Sequence, residues 1–398
     1  MGERVVILGA GQAGVQVAAT LRDEGFAGPI TIVGDEPNLP YQRPPLSKAF
    51  LRGAIEPERL HLKTSAFYAD RGIELLLGRR AGRIDLRNRR IETTDGGEVP
   101  YARLVIATGT RPRIPALPGG GHAQVFSIRS IADVEAMRPA ASGVLRIAIV
   151  GGGYIGLEVA AVLREMGREV VIIEAEERLL KRVTSAPVSQ YFDALHRAQG
   201  VEILTQARVA AISGETCVNG VALGCGRTIA AGAVLLAIGA VPNMELAQEA
   251  GLATGDGILV DAHSRTSARD VFACGDCARF PSRRYARSVR IESVQNAIDQ
   301  AKSVASTIVG RPAAYDPVPW FWSDQYRTKL QIAGLADPGD AVTVEGTPGA
   351  GPFAVEYRRE GRLVAVEAID NARAHMLARR RIAEETSRDL EAASSASP

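Results

Sequence analysis

The hydrophobic pattern changes period twice within residues 5–36. Residues 5–8 form a continuous apolar run, which is typical of a short strand buried on both faces. A glycine-rich turn at 9–14 follows, and apolar residues then recur at helical spacing at Val15, Val17, Ala18 and Leu21. A second apolar run at 30–33 leads to Asp35. The pattern predicts a strand, a glycine turn, a helix, a second strand and an acid, in that order.

This glycine turn has the spacing of a dinucleotide site. Gly9, Gly11 and Gly14 form Gly-x-Gly-x-x-Gly between the predicted strand and helix. The first glycine permits the tight turn, the second lets a pyrophosphate approach the backbone, and the third lets the helix pack on the strand. The helix N-terminus favours the anion, and Asp35 follows about where an acid would accept a ribose hydroxyl.

The same unit recurs in the middle of the chain. A run at 146–150 that is apolar from Ile147 onward precedes a second glycine turn at 151–156, a helical pattern and a run at 169–173 that is apolar from Val170 onward. This turn supplies Gly151, Gly153, Ile155 and Gly156. Two dinucleotide sites in one chain predict an enzyme that passes something from one nucleotide to the other.

The acid of the second unit indicates which nucleotide binds there. Glu174 ends the run at 169–173, where it would bind the 2′-hydroxyl of an adenosine ribose and repel a 2′-phosphate. We therefore expect NADH to be preferred over NADPH. Arg178, Lys181 and Arg182 follow closely and could soften that preference.

Further elements are expected around the two units. Short strands are predicted at 73–77 and 83–92, with a turn at 95–97. Apolar runs at 104–109 and 234–239 share an ending in small residues that allow close backbone approach, namely Thr108, Gly109 and Gly239. Three prolines predict a linker between domains at 112–118.

The chain from about residue 317 alternates with period two. Strands are expected at 329–335, 341–346, 353–358 and 362–369, then a helix, and residues 391–398 are expected to be disordered. Trp320 and Trp322 open this segment, where packing in a core or interface is the common role of tryptophan. We predict a small antiparallel sheet with a terminal helix.

Composition limits the class of protein. The 398 residues are 46% hydrophobic and 23% charged, which is ordinary for a globular chain of two or three domains. A net charge of +2 is too small to indicate nucleic acid, and no apolar run is long enough to span a membrane. The N-terminus lacks the features of a signal peptide, so we expect a cytoplasmic protein. No metal site is predicted.

Three charged positions have an ordinary structural interpretation, and for two of them a functional one is also open. Lys48 follows two prolines and is either a solvated surface lysine or a cation beside a redox ring. Glu158 is expected in the first turn of its helix, where the dipole favours a carboxylate. Asp276 is expected at a helix start, either as an N-cap or as an acceptor from a polyol chain.

The cysteines argue against disulfide chemistry. Cys274 and Cys277 form a CxxC, which we interpret as a turn that carries two thiols, because redox motifs of this kind normally open the helix of a thioredoxin-like unit. No cysteine precedes Cys217, whereas flavin disulfide reductases carry a redox pair after the first acid.

Together these motifs resemble a known family. The motifs, in chain order, are GAGQAG at 9–14, PYQRPPLSK at 40–48, GGGYIGLEVAA at 151–161, TSARDVFACGD at 266–276, RIESVQNA at 290–297 and PWFWSDQY at 319–326. They are similar to those of the bacterial FAD-dependent ferredoxin reductases, in order and over nearly the whole chain. The resemblance implies an α/β fold with two Rossmann-like domains, as in glutathione-reductase-like flavoproteins, and a small α+β C-terminal interface domain.

The resemblance also implies domain boundaries and site residues. The FAD domain would comprise 1–115 and 246–318, the NAD domain 116–245 and the interface domain 319–398. The implied FAD contacts are Ala13, Asp35, Lys48, Ala81, Arg129, Asp276 and Val294. The implied NADH contacts are the turn at 151–156, Glu158 and Glu174. The predicted catalytic residues lie near the flavin in this family and are Lys48, Glu158, Trp320 and Trp322.

The implied function is electron transfer. NADH would reduce FAD by hydride transfer, and the flavin would pass single electrons to an acidic two-iron ferredoxin that serves an oxygenase. The ferredoxin would dock on a basic face built from Arg283, Arg284, Arg287, Arg290, Arg327, Lys329, Arg379, Arg380 and Arg381. Two rival functions share the scaffold: an NADH oxidase or peroxidase, whose usual cysteine is absent here, and an NADH-sensing charge-transfer flavoprotein resembling apoptosis-inducing factor.

Overall fold

The computed structural model describes residues 3–395 and, for side chains, residues 3–385. It divides into two compact units. The first takes the chain up to Gln42, then Leu60–Arg111 and Val241–Trp320. The second takes Arg43–Arg59, Pro112–Ala240 and the chain from Phe321 onward. The three-domain division drawn from the sequence stays a prediction.

The first unit is built on a parallel sheet of five strands. In order across the sheet they are Val271–Ala273, Arg103–Ile106, Val5–Leu8, Ile30–Val33 and Ile73–Leu76. Apart from Arg103, which is half-buried, every residue of the three central strands is buried, which explains why these strands are almost continuously apolar rather than alternating. The helices Gln12–Asp23 and Val294–Ile308 pack together in the same hydrophobic core.

Smaller elements complete the first unit. Two helices span Ser65–Asp70 and Glu245–Glu249, and a 3₁₀ turn spans Gly275–Cys277. One antiparallel sheet contains Ala81–Asp85, Arg90–Thr93 and Glu98–Pro100, and a four-stranded sheet contains Thr254–Gly255, Gly257–Leu259, Ala278–Ser282 and Arg287–Val289. A further two-stranded sheet pairs Thr110–Pro112 with Ala240–Pro242.

The strand predicted at 83–92 is wrong, because the chain reverses within it. The Asp85 carboxylate accepts from both the backbone N–H and the side-chain amide of Asn88, at 2.9 and 2.8 Å. This local side-chain turn competes with strand extension. Arg89 then takes a φ of +51°, and the second strand of the hairpin begins at Arg90.

The second unit contains a second parallel sheet of five strands. In order they are Glu202–Leu204, Glu169–Ile173, Arg146–Val150, Ala233–Leu236 and Val125–Phe126. The helices of this part are Ile131–Gly143, Tyr154–Glu165 and Ala186–Ala198. A three-stranded antiparallel sheet, formed by Val209–Ser213, Gly220–Leu223 and Thr228–Ala230, packs its apolar side chains against the parallel sheet. A 3₁₀ turn spans Pro44–Ser47, and another spans Pro57–Leu60.

The end of the chain forms the antiparallel sheet that the sequence predicts. Its strands, in spatial order, are Trp320–Gln325, Thr328–Gly334, Arg362–Ile369, Phe353–Arg359 and Ala341–Glu345. The helix Ala372–Ser395 follows. The predicted disorder at 391–398 is wrong for 391–395, which continue the helix, and residues 396–398 lie outside the described residues.

No helix within residues 3–395 is both long enough and apolar enough to cross a membrane.

Candidate functional site

The three glycines of the first turn have three different steric roles. Gly9 has a φ of +115°, and a Cβ there would lie 2.2 Å from the carbonyl oxygen of Ala107. A Cβ on Gly14 would lie 2.0 Å from the carbonyl oxygen of Gly9. A Cβ on Gly11 would meet no atom within 4 Å. The outer two glycines therefore let backbone segments pass each other, and the middle one borders open space.

That open space lies at a helix terminus suited to an anion. The helix Gln12–Asp23 begins after Gly11 and, within the described chain, receives no side-chain hydrogen bond at its N-cap. The N-terminal N–H groups of a helix need acceptors, and the helix dipole favours negative charge there. Four other helices are capped by hydroxyl side chains, those of Thr64, Ser130, Ser185 and Ser293. A pyrophosphate fits the turn because it supplies the acceptors that the turn itself lacks.

Several predicted FAD contacts surround this turn. Asp35 is exposed directly beyond the second strand. A Cβ on Gly275 would lie 3.0 Å from the Ala13 methyl group, so the turn that carries Asp276 touches the start of the first helix. Val294 is the first residue of the helix Val294–Ile308, which packs on Gln12–Asp23.

Asp276 does not cap a helix, which corrects one of its two interpretations. It lies inside the 3₁₀ turn Gly275–Cys277, and the long helix that follows is capped by Ser293, whose hydroxyl accepts from the Asn296 N–H. An N-cap precedes the first helical residue, and Cys274 takes that place in this short turn. The Asp276 carboxylate accepts weakly from the Thr110 hydroxyl at 3.5 Å.

The CxxC pair is buried and reduced. Cys274 and Cys277 are both 0% exposed free thiols. Burial raises the pKa of each thiol, so the thiolate needed for disulfide exchange is disfavoured. The arrangement agrees with the interpretation of a glycine turn that carries two thiols.

The other predicted contacts of the first nucleotide are spread over several elements. Thr108 exchanges two hydrogen bonds with Asn243: its hydroxyl donates to the Asn243 carbonyl at 2.6 Å, and the Asn243 amide donates to its carbonyl at 2.9 Å. Gly109 has a φ of +64°. Ala81 begins the strand Ala81–Asp85. Arg129 belongs to the second unit, where its N–H donates to Asp133 at 2.9 Å.

The second glycine turn repeats the sterics of the first. Gly151 has a φ of +108°, and a Cβ added to it would lie 2.4 Å from a backbone carbonyl oxygen. A Cβ added to Gly156 would lie 2.3 Å from another carbonyl oxygen. A Cβ on Gly153 would meet nothing within 4 Å. The helix Tyr154–Glu165 also lacks a side-chain hydrogen bond at its N-cap within the described residues. Ile155 is 43% exposed beside the turn.

Glu174 lies directly against this turn. One of its carboxylate oxygens accepts from the Gly152 N–H at 2.6 Å, and the other accepts from the Glu176 N–H at 2.8 Å. The acid is therefore fixed at the edge of the open space. Gly239 has a φ of +106°, and its carbonyl accepts from the Arg113 N–H at 2.9 Å.

Lys48 and Glu158 form an ion pair inside the second unit. Lys48 Nζ lies 2.5 Å from Glu158 Oε2, and Glu158 is only 4% exposed. Ser47 Oγ donates to the same carboxylate oxygen at 2.6 Å, and Ser323 Oγ donates to the other oxygen at 2.8 Å. A buried carboxylate with one cation and two hydroxyl donors has the partners that its charge requires.

This ion pair corrects the structural interpretations of Glu158 and Lys48, and its partners add Ser47 and Ser323 to the candidate site. Glu158 lies in the second turn of the helix Tyr154–Glu165, so it is not the dipole-stabilised acid of a first turn. Lys48 is half-buried and paired rather than solvated. Ser47 and Ser323 were missed, because they lie 111 and 165 residues from Glu158 and no local spacing connects them.

The two tryptophans lie on one strand. Trp320 and Trp322 are both half-buried on Trp320–Gln325. The Trp320 N–H donates to the Gln295 side chain at 3.3 Å. Between the tryptophans, the Phe321 ring contacts the Tyr154 ring with centroids 4.6 Å apart.

The predicted basic residues differ in exposure. Arg290 has a side chain that is 12% exposed and paired with Asp256 and Glu292, so it does not belong to an open basic face. Arg380 and Arg381 pair with acids one turn further along their helix. Lys329 lies 3.7 Å from an Asp324 carboxylate oxygen. The exposed residues of the set include Arg283, Arg287 and Arg327.

Two family models match most of this chain. The model of the pyridine nucleotide-disulphide oxidoreductases matches residues 3–301, and the model described as reductase C-terminal matches residues 320–397. The chain belongs to the pyridine nucleotide-disulphide oxidoreductase family, and its C-terminal domain places it among the members that end in that reductase domain.

Individual relatives refine the class. Rhodocoxin reductase of Rhodococcus erythropolis is 41% identical over 382 residues, covering 96% of this chain and 90% of that one. Putidaredoxin reductase of Pseudomonas putida is 40% identical over 374 residues, covering 92% and 89%. The crystal structure of the covalent putidaredoxin reductase–putidaredoxin complex superposes with a TM-score of 0.92 at 38% identity, covering 95% of this chain and 93% of that one.

These similarities confirm the main sequence predictions. The resemblance to ferredoxin reductases, the fold class with its C-terminal domain, and the enzyme class of flavin-dependent oxidoreductase are all confirmed. The family uses FAD and NAD(P)H, in agreement with the two glycine turns.

Proposed function

We propose that this chain oxidises NADH through FAD and passes electrons one at a time to a two-iron ferredoxin that feeds an oxygenase. The observation that carries the proposal is the buried Lys48–Glu158 pair in a chain with two open glycine turns. Bound FAD would supply the conversion between a two-electron donor and a one-electron acceptor. Rhodocoxin reductase and putidaredoxin reductase, both similar to this chain, are named for the proteins they reduce.

We assign FAD to the first turn and NADH to the second. Gly11 would face the pyrophosphate of the first nucleotide, with Asp35 accepting from its ribose and Asp276 from a polyol chain. Gly153 and Ile155 would border the second nucleotide. Support comes from the unfilled space in front of Gly11 and Gly153, where a methyl group would meet no protein atom.

The proposed preference for NADH over NADPH rests on Glu174 and on two nearby cations that already have protein partners. Glu174 is held at the turn, where a 2′-phosphate would meet its charge. The Arg178 guanidinium donates to the carbonyls of Lys181 and Thr184, and Lys181 pairs with Glu176 at 3.0 Å. These two cations are therefore already engaged and are poorly placed to hold a phosphate. We expect Glu174→Ala to raise the KM for NADH about tenfold and to narrow the gap to NADPH.

Lys48 would hold positive charge beside the flavin ring. Such a charge favours hydride arrival, because the reduced ring carries more negative charge than the oxidised ring. Glu158 would keep the ammonium group in place through the 2.5 Å contact. The family resemblance implies that Trp320 and Trp322 also lie beside the flavin.

The decisive experiment is stopped-flow mixing of the purified flavoprotein with NADH and then with an oxidised two-iron ferredoxin. We expect rapid bleaching of the flavin followed by fast ferredoxin reduction, with NADPH much slower. Rapid bleaching without ferredoxin reduction, accompanied by oxygen consumption, would instead indicate an oxidase. A persistent long-wavelength band with slow turnover would indicate a charge-transfer sensor.

The role of Lys48 has its own test in the same instrument. Lys48→Ala should slow flavin reduction by about tenfold or more, since it removes a charge of the kind that stabilises a transition state. Lys48→Arg keeps the charge and is expected to lose less. Equal rates for wild type and Lys48→Ala would show that the lysine only completes an internal ion pair.

We propose that the ferredoxin docks through exposed arginines. Arg283 and Arg287 flank the hairpin turn between Ala278–Ser282 and Arg287–Val289 of the first unit, and Arg327 is exposed in the second unit. Charge reversal at each should raise the KM for ferredoxin and weaken its salt dependence. Arg269→Glu is the matched control, because Arg269 has a side chain 91% exposed and lies outside the proposed face. If Arg269→Glu had the same effect, only the net charge would matter.

We also propose that the protein works in the cytoplasm. All four cysteines are free thiols, which suits a reducing compartment. Fractionation of the native host followed by assay of NADH-dependent ferredoxin reduction would test this assignment.

A further inference from the structure

A buried chain of hydrogen bonds leads to Glu158 from another part of the second unit. Ser323, Gln325 and His196 are each 0% exposed. Ser323 Oγ lies 2.8 Å from Glu158 Oε1, and Gln325 Nε2 lies 3.3 Å from Ser323 Oγ. His196 Nε2 lies 2.9 Å from Gln325 Oε1, and the Tyr326 hydroxyl lies 3.3 Å from His196 Nδ1. The chain therefore runs through five residues without reaching solvent before Tyr326.

Ionised Glu158 gives this chain a direction. A carboxylate only accepts, so the single hydroxyl proton of Ser323 points at it. The Ser323 oxygen then accepts from the Gln325 amide nitrogen, which leaves the Gln325 amide oxygen facing the His196 ring. An oxygen at that place requires the proton on His196 Nε2, and Nδ1 then accepts from Tyr326. The charge on Glu158 thus selects the tautomer of a histidine three hydrogen bonds away.

A neutral His196 ring carries one N–H proton, either on Nδ1 or on Nε2. Burial lowers the pKa of His196, so the imidazole is neutral at neutral pH. In Glu158→Gln, where the side chain is neutral and can donate, the donors and acceptors along these hydrogen bonds reverse, and the ring proton moves to Nδ1. The chain consequently has two arrangements that Glu158 distinguishes.

We propose that Ser323, Gln325 and His196 are positioning residues that hold the Glu158 carboxylate against Lys48. Ser323 holds Oε1, while Lys48 and Ser47 share Oε2, so each oxygen has its own donors and the plane of the carboxylate is fixed. The proposal rests on the proposed role of Lys48 beside the flavin. It also makes the strand that carries both tryptophans part of the support for the Lys48 charge.

The chain of hydrogen bonds is tested by nitrogen-15 NMR of the holoenzyme labelled at its five histidines. His196→Gln identifies the His196 signals by their loss. We expect the Nε2–H tautomer in the wild type and a shift toward Nδ1–H in Glu158→Gln. Ser323→Ala should break the connection, so that adding Glu158→Gln no longer moves the His196 signals. An Nδ1–H tautomer in the wild type, or no response to Glu158→Gln, would overturn the proposal.

The positioning role is tested on the flavin. Ser323→Ala and His196→Phe should lower the midpoint potential of the bound flavin and slow its reduction by NADH about threefold to tenfold, the range expected for the loss of one ordinary hydrogen bond. His196→Gln carries an amide donor at about the Nε2 position and should restore both values. Ser189→Ala is the matched control, because Ser189 is a buried serine of the same unit whose hydroxyl donates to the Leu179 carbonyl.

The outcomes separate this inference from the proposed function. If Lys48→Ala changes flavin potential and rate while Ser323→Ala behaves like Ser189→Ala, the positioning chain is wrong and the Lys48 role stands. If Lys48→Ala leaves the flavin potential and the rate unchanged, the proposed role of Lys48 beside the flavin is wrong. The positioning proposal, which depends on that role, is then wrong too. A loss in His196→Phe that His196→Gln does not restore would mean that the ring packs rather than donates, which also overturns the proposal.

Discussion

The two glycine turns have similar backbone geometry. They differ in the group that lies between the turn and the residue after the second strand. The residue that directly follows the second strand is Gly34 in the first unit and Glu174 in the second. Facing these positions in the turns are Ala10 and Gly152. A Cβ on Gly34 would lie 2.7 Å from the Ala10 methyl group, whereas Gly152 leaves room for the Glu174 carboxylate 2.6 Å from its nitrogen.

This difference shows how one motif can serve two nucleotides. In the first unit a methyl group from the turn occupies the space, and the acid, Asp35, comes one residue later on the exposed side. In the second unit the acid itself occupies the space and binds the turn. The negative charge of Glu174 therefore lies against the backbone of the second turn, where discrimination against a 2′-phosphate is expected.

The largest expected effect comes from the glycines that both turns share. Gly9→Ala and Gly151→Ala should each destabilise the fold by at least about 3 kcal/mol, because a Cβ would strike a backbone oxygen at a positive φ. Thermal denaturation would measure the loss. Gly25→Ala is the matched control, since Gly25 has a φ of +84° but no atom within 4 Å of the added Cβ. Similar losses at all three positions would mean that φ strain, not the close approach, makes these glycines necessary.

The thiols should distinguish the two units next most strongly. Cys217 and Cys225 of the second unit are exposed, while Cys274 and Cys277 of the first unit are buried with raised pKa values. We expect two thiols per folded chain to react with a disulfide reagent at pH 8, and all four after denaturation. The buried pair should react at least about a hundredfold more slowly, since reaction requires opening of the fold. Fast reaction at four thiols in the folded holoenzyme would contradict this.

The middle glycines should separate the two nucleotides. Gly11→Ala places a methyl group where the first pyrophosphate would lie and should weaken FAD retention about tenfold to a hundredfold. Gly153→Ala should raise the KM for NADH by a similar factor and leave the flavin content unchanged. Flavin absorbance per chain and NADH titration measure the two effects. Loss of flavin from Gly153→Ala would show that the assignment of nucleotides to turns is reversed or shared.

The smallest effect is a pH dependence carried by the second unit. Burial lowers the pKa of His196 below its ordinary value near 6.5, so folding favours the neutral ring. That stability is present above pH 6.5 and is lost as the pH falls, because the unfolded chain then binds a proton that the fold excludes. His196→Gln should therefore reduce the loss of stability between pH 7.5 and 5.5 by about 1 kcal/mol in denaturant titrations. An unchanged pH dependence would mean that the buried ring is not its source.

How much could be predicted depended on how local each cause is. The strand Val5–Leu8 begins and ends where its apolar run does, and Arg146–Val150 is apolar and buried from Ile147 onward, since burial on both faces selects apolar residues. The prediction of a strand at 83–92 was wrong because Asn88 donates two hydrogen bonds to Asp85. These bonds stabilise a turn more strongly than the surrounding β-branched and apolar residues favour a strand. The N-cap interpretation of Asp276 was wrong because the residue lies inside the 3₁₀ turn Gly275–Cys277, a backbone detail that a polar residue after a glycine does not reveal.

The sequence by itself determined the class of this protein: two Rossmann-like units, their glycine turns and acids, and a family resemblance that runs through the whole chain. Periodicity and turn chemistry are local properties, so they can be read from neighbouring residues. Only the tertiary structure decided that Glu158 is buried between Lys48 and two serines, and that His196 is connected to it through Gln325. Except for the bond between Gln325 and Ser323, these contacts join residues more than a hundred positions apart, and each depends on the direction of a side chain in a packed interior, which no spacing along the chain encodes.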